Sequence, residues 1–290
     1  MPELPEVETV RIGLARLLPE RAFKAVLSLN AKSFPNTDAD TREFLLGATV
    51  VDVRRRAKVL LINLSSQYSL VIHLKMTGQL VFVDSSDVRF GAGHPSDSLI
   101  GKLPDKSTRV EFTFEDNSKL FFNDQRKFGW VRLVPTAEVP NIDFMRKVGP
   151  EPLSADFTAG HFVDRLQRRK NTTIKAALLD QTVIAGVGNI YADESLWGAK
   201  IHPATRVADV PVPALHSLYT ELRYVMNLAI EKGGSSNHTY VTAEGKKGSY
   251  MNFARVFRRE GLACPRCGTT IVKLRVAGRG THICPSEQVL

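Results

Sequence analysis

The sequence contains only three cysteines, and none of them precedes position 264. An odd, clustered set of thiols excludes a disulfide framework, which uses an even number of cysteines along a secreted chain. The sequence also lacks an apolar run long enough to span a membrane, and the start Met1-Pro2-Glu3 does not begin a signal peptide. These absences favour a cytosolic protein. The three cysteines are therefore interpreted as a metal site or the remainder of one.

Acidic residues are in deficit, with 30 Asp and Glu against 39 Lys and Arg and a net charge of +9. A basic chain of this kind favours a polyanionic partner, most simply nucleic acid, and is also compatible with an anionic membrane surface. With 290 residues, 43% of them hydrophobic, the chain is long enough for two cores of ordinary domain size.

Hydrophobic periodicity changes along the chain. An amphipathic helix is predicted over residues 6–18, followed by strands such as 70–74 and the hairpin 109–122. Prolines between positions 135 and 152 indicate a linker. Beyond it the pattern predicts helices over 161–169, 173–181, 190–198 and 214–232, and then short strands around the cysteines.

Pro2 and Glu3 combine an amine with an acid at the start of the chain. Met1 is normally trimmed before a small residue, which would make Pro2 a secondary amine, and an α-amino group has a pKa near ~8. Such an amine beside a carboxyl suits Schiff-base chemistry on a sugar aldehyde carbon. The alternative is a plain helix start, which explains Pro5 and the nearby glutamates but gives no reason for Pro2-Glu3.

Two strand ends carry large side chains at turns. Met76 lies in HLKMTG and Phe128 lies in NDQRKFG, and a basic run at 54–58 leads into another strand. Both large residues could belong to a core. They could also act as wedges that fill the space left when a base is flipped out of DNA, and the basic run could contact phosphates or be a solvated face.

A glycine turn at 186–189 separates two predicted helices and is preceded by the basic run 168–170. A helix that begins after such a turn exposes unpaired backbone N–H groups, which bind phosphate. Farther on, Cys264-Pro-Arg-Cys267 is separated by sixteen residues from Cys284-Pro-Ser-Glu287, the spacing of a zinc ribbon with a carboxylate in the fourth position.

Taken in order, these motifs resemble the formamidopyrimidine-DNA glycosylase family over essentially the whole chain. The matching segments are MPELPEVETV, RRRAK, HLKMTGQL, NDQRKFG, VGPEPL, IKAALLDQTVIAGVGNIYADE and CPRCG…GRGTHICP. The resemblance implies an α+β multidomain fold with DNA bound in a cleft. Its expected parts are an N-terminal β-sandwich with a flanking helix (1–133), a linker (134–152), a helix-two-turn-helix domain (153–262) and a zinc-ribbon-like β-hairpin (263–290).

The resemblance also implies base-excision DNA repair. The expected enzyme is a bifunctional glycosylase and AP lyase that removes 8-oxoguanine and formamidopyrimidines and then cleaves the strand by β,δ-elimination. Its expected partner is double-stranded DNA containing oxidised bases or abasic sites, with no membrane. A monomer with one structural zinc ion, in the bacterial cytosol or nucleoid, is expected.

Family roles transfer by matching position. Pro2 is expected as the Schiff-base nucleophile, Glu3 as proton donor to the sugar, Lys58 as the lysine of β-elimination and Arg279 as the arginine of δ-elimination. The expected DNA-binding residues are His73, Met76, Arg126, Phe128, Lys170, Asn171, Lys175 and Asn189. The expected lesion-recognition loop contains Gly245, Lys246, Lys247, Gly248 and Tyr250, and the expected metal ligands are Cys264, Cys267, Cys284 and Glu287.

The chain departs from the family pattern at two positions. Ser107 replaces a histidine that contacts DNA, which predicts one weaker phosphate contact. Glu287 replaces the fourth zinc cysteine, which predicts a weaker metal site and a less well positioned Arg279. Two alternative functions are a non-catalytic damaged-DNA-binding protein on the same scaffold and an unrelated zinc-ribbon nucleic-acid module fused to a β domain.

Overall fold

The computed structural model describes residues 1–86, 88–235 and 250–290, which divide into two units. Unit 1 comprises Met1–Arg146 and Lys232–Tyr250, and unit 2 comprises Lys147–Glu231 and Met251–Leu290. Within the described ranges, no helix has the length and apolar character needed to cross a membrane.

Unit 1 begins with helix α1 (Leu4–Leu17). The helix starts two residues earlier than its periodicity predicts, because Glu3 and Glu6 form a capping box in which the Glu6 carboxylate accepts the Glu3 N–H at 2.9 Å. Its apolar residues Val7, Val10 and Leu14 are buried. Helix α1 packs against the strands that follow, which places the chain's start at the core of this unit.

The strands of unit 1 are all antiparallel. In chain order they are β1 (Phe23–Ser28), β2 (Val50–Arg56), β3 (Val59–Leu64), β4 (Tyr68–His73), β5 (Gly78–Val83), β6 (Arg89–Gly93), β7 (Thr108–Phe114), β8 (Lys119–Asp124) and β9 (Trp130–Pro135). One sheet has the order β1-β7-β8-β5-β6 and the other has the order β2-β3-β4-β9. Apolar residues from both sheets share one core, including Phe23, Val53, Ile62, Leu80, Phe112 and Phe122. The predicted β-sandwich with a flanking helix is confirmed.

Short helical segments complete unit 1 and lead out of it. Helix α2 (Asp38–Asp40) continues into a π-helical turn (Thr41–Leu45), and 3₁₀ turns occupy Asp97–Leu99 and Thr136–Asn141. Helix α3 (Asp143–Lys147) ends where unit 2 begins.

Unit 2 consists of helices followed by a β-hairpin, as predicted. The helices are α4 (Ala159–Gln167), α5 (Ile174–Leu179), α6 (Asn189–Gly198) and α7 (Val212–Glu231), and the hairpin strands are β10 (Val272–Val276) and β11 (Arg279–Ile283). Further 3₁₀ turns lie at Val207–Asp209 and Tyr250–Asn252. Ala277 and Gly278 join the strands with positive φ angles of 50° and 72°, the backbone of a two-residue type I′ turn, which presents Arg279 directly after the turn.

Candidate functional site

The first turn of α1 holds the predicted catalytic pair. Pro2 and Glu3 are both buried, and Glu3 occupies the N-cap position. The Glu6 carboxylate binds two backbone groups, because one oxygen accepts the Glu3 N–H and the other accepts the Ser235 N–H at 2.9 Å. Sequence analysis assigned Glu6 only to the helix start, and its link to Ser235 was not visible at a separation of 229 residues.

Lys58 and His73 lie side by side at one end of the β2-β3-β4-β9 sheet. Lys58 follows Ala57, which has a positive φ of 53°, and its neighbour Val59 pairs with His73 across β3 and β4. Burial, and then the charges of Lys75 and Lys58, lower the pKa of His73 to about 3. His73 is therefore neutral at neutral pH, and since its Nδ1 accepts the Lys75 N–H at 3.0 Å, its Nε2 carries the proton.

Two adjacent turns present the predicted wedge residues. Gly78 pairs with Asp124 across β5 and β8, so the turn that contains Met76 lies beside the turn that contains Arg126 and Phe128. Met76 is 37% exposed and Phe128 is 54% exposed, which excludes the alternative that they belong to the core. The Arg126 guanidinium lies 4.8 Å from the centre of the Phe128 ring, within cation–π range.

Asp124 holds these two turns together. Its carboxylate accepts the Gly129 N–H at 2.6 Å and the Thr77 hydroxyl, and Thr77 Oγ1 in turn accepts the Arg126 N–H at 3.0 Å. Asp124 is fully buried. Sequence analysis did not single out Asp124 or Thr77, although both lie inside the motifs it quoted.

Ser107 lies in a buried polar network rather than at the surface. Its N–H and hydroxyl both donate to Asp105, at 2.7 Å each, and Ser98 donates to the same carboxylate at 2.6 Å. These hydrogen bonds outweigh partial burial and lower the pKa of Asp105. The Ser107 side chain, which replaces the expected histidine, therefore forms its hydrogen bonds within its own loop.

His94 follows strand β6 and was not anticipated from the sequence. Burial, and then the positive charge of the N-terminal amine, lower the pKa of His94, which indicates that this ring lies near the start of the chain.

The predicted lesion-recognition segment is described only at its end. Gly245, Lys246, Lys247 and Gly248 lie outside the described residues. Tyr250 is buried, and its N–H donates to the Gly234 carbonyl at 3.1 Å.

In unit 2 the predicted DNA-binding residues fall into two groups. Lys170 and Asn171 are exposed on the segment between α4 and α5. Asn189 begins α6 and donates from Nδ2 to the Gly280 carbonyl at 2.9 Å, which ties the glycine turn to the hairpin that carries the exposed Arg279.

Lys175, for which the sequence predicts a direct phosphate contact, has a buried side chain with partners inside the protein. Its side chain is 0% exposed, and its Nζ donates to Asp193 at 2.6 Å and to the Thr281 hydroxyl at 2.7 Å. The other Asp193 oxygen accepts from the His282 N–H at 3.0 Å. The ion pair therefore fastens β11 to helices α5 and α6, and Lys175 positions the hairpin from below the surface. Asp193 was missed because nothing local marks it as a partner of Lys175.

The three cysteines converge at the base of the hairpin. Their sulfur atoms lie within 4.8 Å of one another, and Cys264 and Cys284 are buried in a small apolar cluster with Trp197. Burial raises the pKa of Cys264, but hydrogen bonds from the backbone N–H groups of Arg266 and Cys267 outweigh it and bring the value to about 7. Spacing, sulfur ligands and stabilised thiolate all fit a zinc ion.

Glu287, the expected fourth ligand, is not brought to this cluster. Its carboxylate accepts from Arg266 at 2.9 Å and lies 3.1 Å from the Lys200 ammonium. Hydrogen bonds from Arg266 and then Lys200 lower the pKa of Glu287. The predicted ligand set is therefore reduced to three thiolates in the part of the chain that the structure describes.

Sequence comparison places the whole chain beside known proteins. The model of the formamidopyrimidine-DNA glycosylase N-terminal domain matches residues 1–131, that of the formamidopyrimidine-DNA glycosylase H2TH domain matches 148–241, and that of a zinc finger found in FPG and IleRS matches 261–286. The chain is 41% identical to the formamidopyrimidine-DNA glycosylase of Pediococcus pentosaceus over 100% of both chains. It is 38% identical to that of Lactobacillus acidophilus over 100% of this chain and 99% of the relative.

Solved structures agree with the sequence comparison. A complex of Lactococcus lactis Fpg with DNA that contains an abasic site superimposes with a TM-score of 0.86 at 33% identity, over 99% of this chain and 100% of the other. A complex of a variant of the same protein with DNA that contains Fapy-dG gives a TM-score of 0.87 at 32% identity, over 100% of both chains.

Proposed function

Because this chain belongs to the formamidopyrimidine-DNA glycosylase family of base-excision-repair DNA glycosylases, we propose that it removes oxidised purines and then cleaves the strand as an AP lyase. The proposed substrates are 8-oxoguanine and formamidopyrimidines in double-stranded DNA. The observation that carries the proposal is the buried Pro2-Glu3 pair at the N-terminus of α1, in the same unit as Lys58 and His73. The solved relatives bound to abasic-site and Fapy-dG DNA support it.

Pro2 is the proposed nucleophile once Met1 has been removed. The positive end of the α1 dipole disfavours a protonated amine, which favours the neutral, nucleophilic form of the Pro2 nitrogen. Its lone pair attacks C1′ of the flipped nucleotide, Glu3 donates a proton to the sugar ring oxygen, and the damaged base departs with the electrons of the glycosidic bond. The C1′–O4′ bond breaks as the ring oxygen takes up this proton, and the nitrogen lone pair forms the C=N bond of an iminium. The iminium acidifies C2′, and loss of the C2′ proton expels the 3′ phosphate. Loss of a second proton, from C4′, then expels the 5′ phosphate.

Lys58 and Arg279 are proposed to assist the two eliminations as cations that orient the phosphates and stabilise the charge that develops on them. His73, neutral at neutral pH, contributes a hydrogen bond through Nε2 rather than a charge. Lys170, Asn171 and Asn189 are proposed to hold the phosphates on unit 2.

Met76, Arg126 and Phe128 are proposed to fill the space that the flipped nucleotide leaves in the duplex. Their exposure fits this role, since a side chain that fills a gap in a duplex must project beyond the protein surface. Asp124 and Thr77 keep the two turns in register, so the wedge is preformed. Gly245, Lys246, Lys247, Gly248 and Tyr250 are proposed to take part in recognition of the extruded base.

One zinc ion is proposed to be held by Cys264, Cys267 and Cys284. A zinc ion bound there would cross-link the two knuckles and would take no part in the reaction itself. Arg279, at the far end of the same hairpin, depends on that cross-link for its position.

Borohydride trapping tests the proposal. The parent protein should form a stable covalent adduct with duplex DNA that contains 8-oxoguanine, because borohydride reduces the imine intermediate to an amine that does not hydrolyse. Pro2→Gly should lose the adduct and strand cleavage but retain lesion binding, and Glu3→Gln should lose base excision. Pro35→Ala and Glu43→Gln, both at exposed positions, are the matched controls and should behave like the parent.

A damaged-DNA-binding protein without catalysis remains the second candidate because Glu3 is already engaged in the capping box. Lesion binding with no trapped adduct, in a preparation whose intact mass shows that Met1 is absent, would establish that alternative and reject the enzyme.

A further inference from the structure

Glu287 forms an ion-pair bridge at the base of the hairpin. Its side chain is only 15% exposed and lies between two cations, with 2.9 Å to Arg266 and 3.1 Å to Lys200. Arg266 belongs to the first cysteine knuckle, Glu287 closes the second, and Lys200 follows the last turn of α6. One carboxylate therefore joins both knuckles to a helix.

Arg266 extends this bridge to Trp197. Its guanidinium lies 3.9 Å from the centre of the Trp197 ring and donates to the Trp197 carbonyl at 3.4 Å and the Gly198 carbonyl at 3.3 Å. Trp197 in turn packs against Cys264 and Cys284. In a closed structural site, a fourth protein ligand fixes the second knuckle relative to the first. Here the ion pairs of Glu287 with Arg266 and Lys200 fix the second knuckle in its place.

The cysteine cluster is consequently incomplete as a tetrahedral site. Cys267 and Cys284 have their sulfurs 3.4 Å apart, and all three sulfurs group together without any carboxylate or imidazole from the described residues. Structural zinc sites are almost always closed by four protein ligands, whereas three leave one position for an exchangeable ligand.

We propose that Glu287 is an electrostatic latch rather than a metal ligand, and that the cysteines form a three-thiolate site whose fourth position is taken by an exogenous ligand such as water. This rests on the proposed zinc binding but not on the proposed base excision. The site therefore combines thiolates, which select thiophilic metal ions, with an open coordination position for small ligands such as water or imidazole.

Cobalt(II) substitution of the reduced full-length protein tests the proposal, because its visible spectrum reports donor type and coordination number. For the parent, imidazole should shift the spectrum saturably. Glu287→Gln should leave the spectrum, the imidazole response and the cobalt affinity within about twofold of the parent, while hydrogen exchange of residues 272–283 becomes faster. Asp209→Asn, which removes an exposed carboxylate paired with Arg206 outside the hairpin, is the matched control and should not change that exchange.

Glu287→Cys should close the site. Its thiolate-to-cobalt charge transfer should be more intense, the imidazole response should disappear, and cobalt affinity should rise at least about tenfold. A tenfold loss of cobalt affinity or altered ligand-field bands in Glu287→Gln would show that the carboxylate is a ligand and overturn the proposal. Failure of the parent to bind cobalt would overturn the three-thiolate site. None of these measurements involves DNA, so they remain independent of the glycosylase assignment.

Discussion

Replacing Lys175 by methionine should destabilise unit 2 without weakening phosphate contacts. The substitution keeps the length of the side chain but removes the ammonium that binds Asp193 and Thr281. Asp193 is then a buried carboxylate whose remaining described donors are the N–H and Nδ1 of His282, at 3.0 and 3.2 Å. The substitution therefore weakens the attachment of β11 to α6.

The expected magnitude follows from burial. Removing one partner of a fully buried ion pair costs about 3–5 kcal/mol, and the two His282 donors place this case near the lower end, at about 3 kcal/mol. Adding Asp193→Asn removes the stranded charge and keeps an oxygen for the His282 N–H. The double variant should therefore recover about 1 kcal/mol relative to Lys175→Met alone.

Urea unfolding followed by Trp197 fluorescence measures this change. The chain has two tryptophans, one in each unit, so a Trp130→Phe background leaves only the unit 2 probe. Lys170→Met is the matched control. Since Lys170 is exposed, its loss should alter stability by less than about 0.5 kcal/mol, but it should reduce the slope of log affinity for DNA against log salt by about 0.9.

The two readouts separate a buried positioning lysine from a phosphate-binding one. Lys175→Met should keep the salt slope of the parent. If it instead lowered the slope by about 0.9 while unfolding like the parent, Lys175 would contact phosphate directly and the assignment from burial would be wrong.

Three further outcomes are expected. His73 has a folded pKa of about 3, below its ordinary value, so the unfolded chain binds the proton first as the pH falls. The contribution of neutral His73 to the free energy of unfolding is fully present above pH 6.5. It declines by up to about 1.4 kcal/mol per pH unit as the pH falls towards 3. Urea midpoints of His73→Gln should show a flatter pH profile, and an unchanged profile would contradict this. Asp124→Asn should cost about 1–3 kcal/mol in thermal unfolding, because a donor replaces an acceptor of the Gly129 N–H, and a parent-like melting temperature would disprove it. Phe128→Ala should unfold like the parent but bind abasic-site DNA about tenfold more weakly, and equal affinity would exclude the wedge.

The periodic parts of the fold were predictable because their signals are local. Alternation between apolar and polar residues identified the hairpin of β7 and β8, and three-to-four spacing identified α1 and α7. The predicted start of α1 differs from the observed start by two residues. Apolar periodicity does not reveal the capping box of Glu3 and Glu6, which sets the first residue of the helix.

At the candidate site, the sequence did not reveal the long-range partners of the predicted residues. Lys175 was assigned to a phosphate contact by its matching position in the family, and its partner Asp193 lies 18 residues away on another helix. Glu287 was placed among the metal ligands by spacing and by its match to the family's fourth cysteine, whereas Lys200 and Arg266 hold its carboxylate. Motif positions indicate which residues meet, but the charges supplied by distant elements decide what each side chain binds.

The two hydrogen bonds of Glu6 have a thermodynamic consequence for recognition. This carboxylate joins the backbone of Glu3 to the backbone of Ser235, the last described residue before the predicted lesion-recognition segment. Because both hydrogen bonds use the same carboxylate, a displacement of the Ser235 backbone would remove one donor from Glu6 and change the electrostatic environment of the first turn of α1. The N-terminal turn of α1 and the backbone at Ser235 therefore share one anchor, so that a change at either end would alter the other.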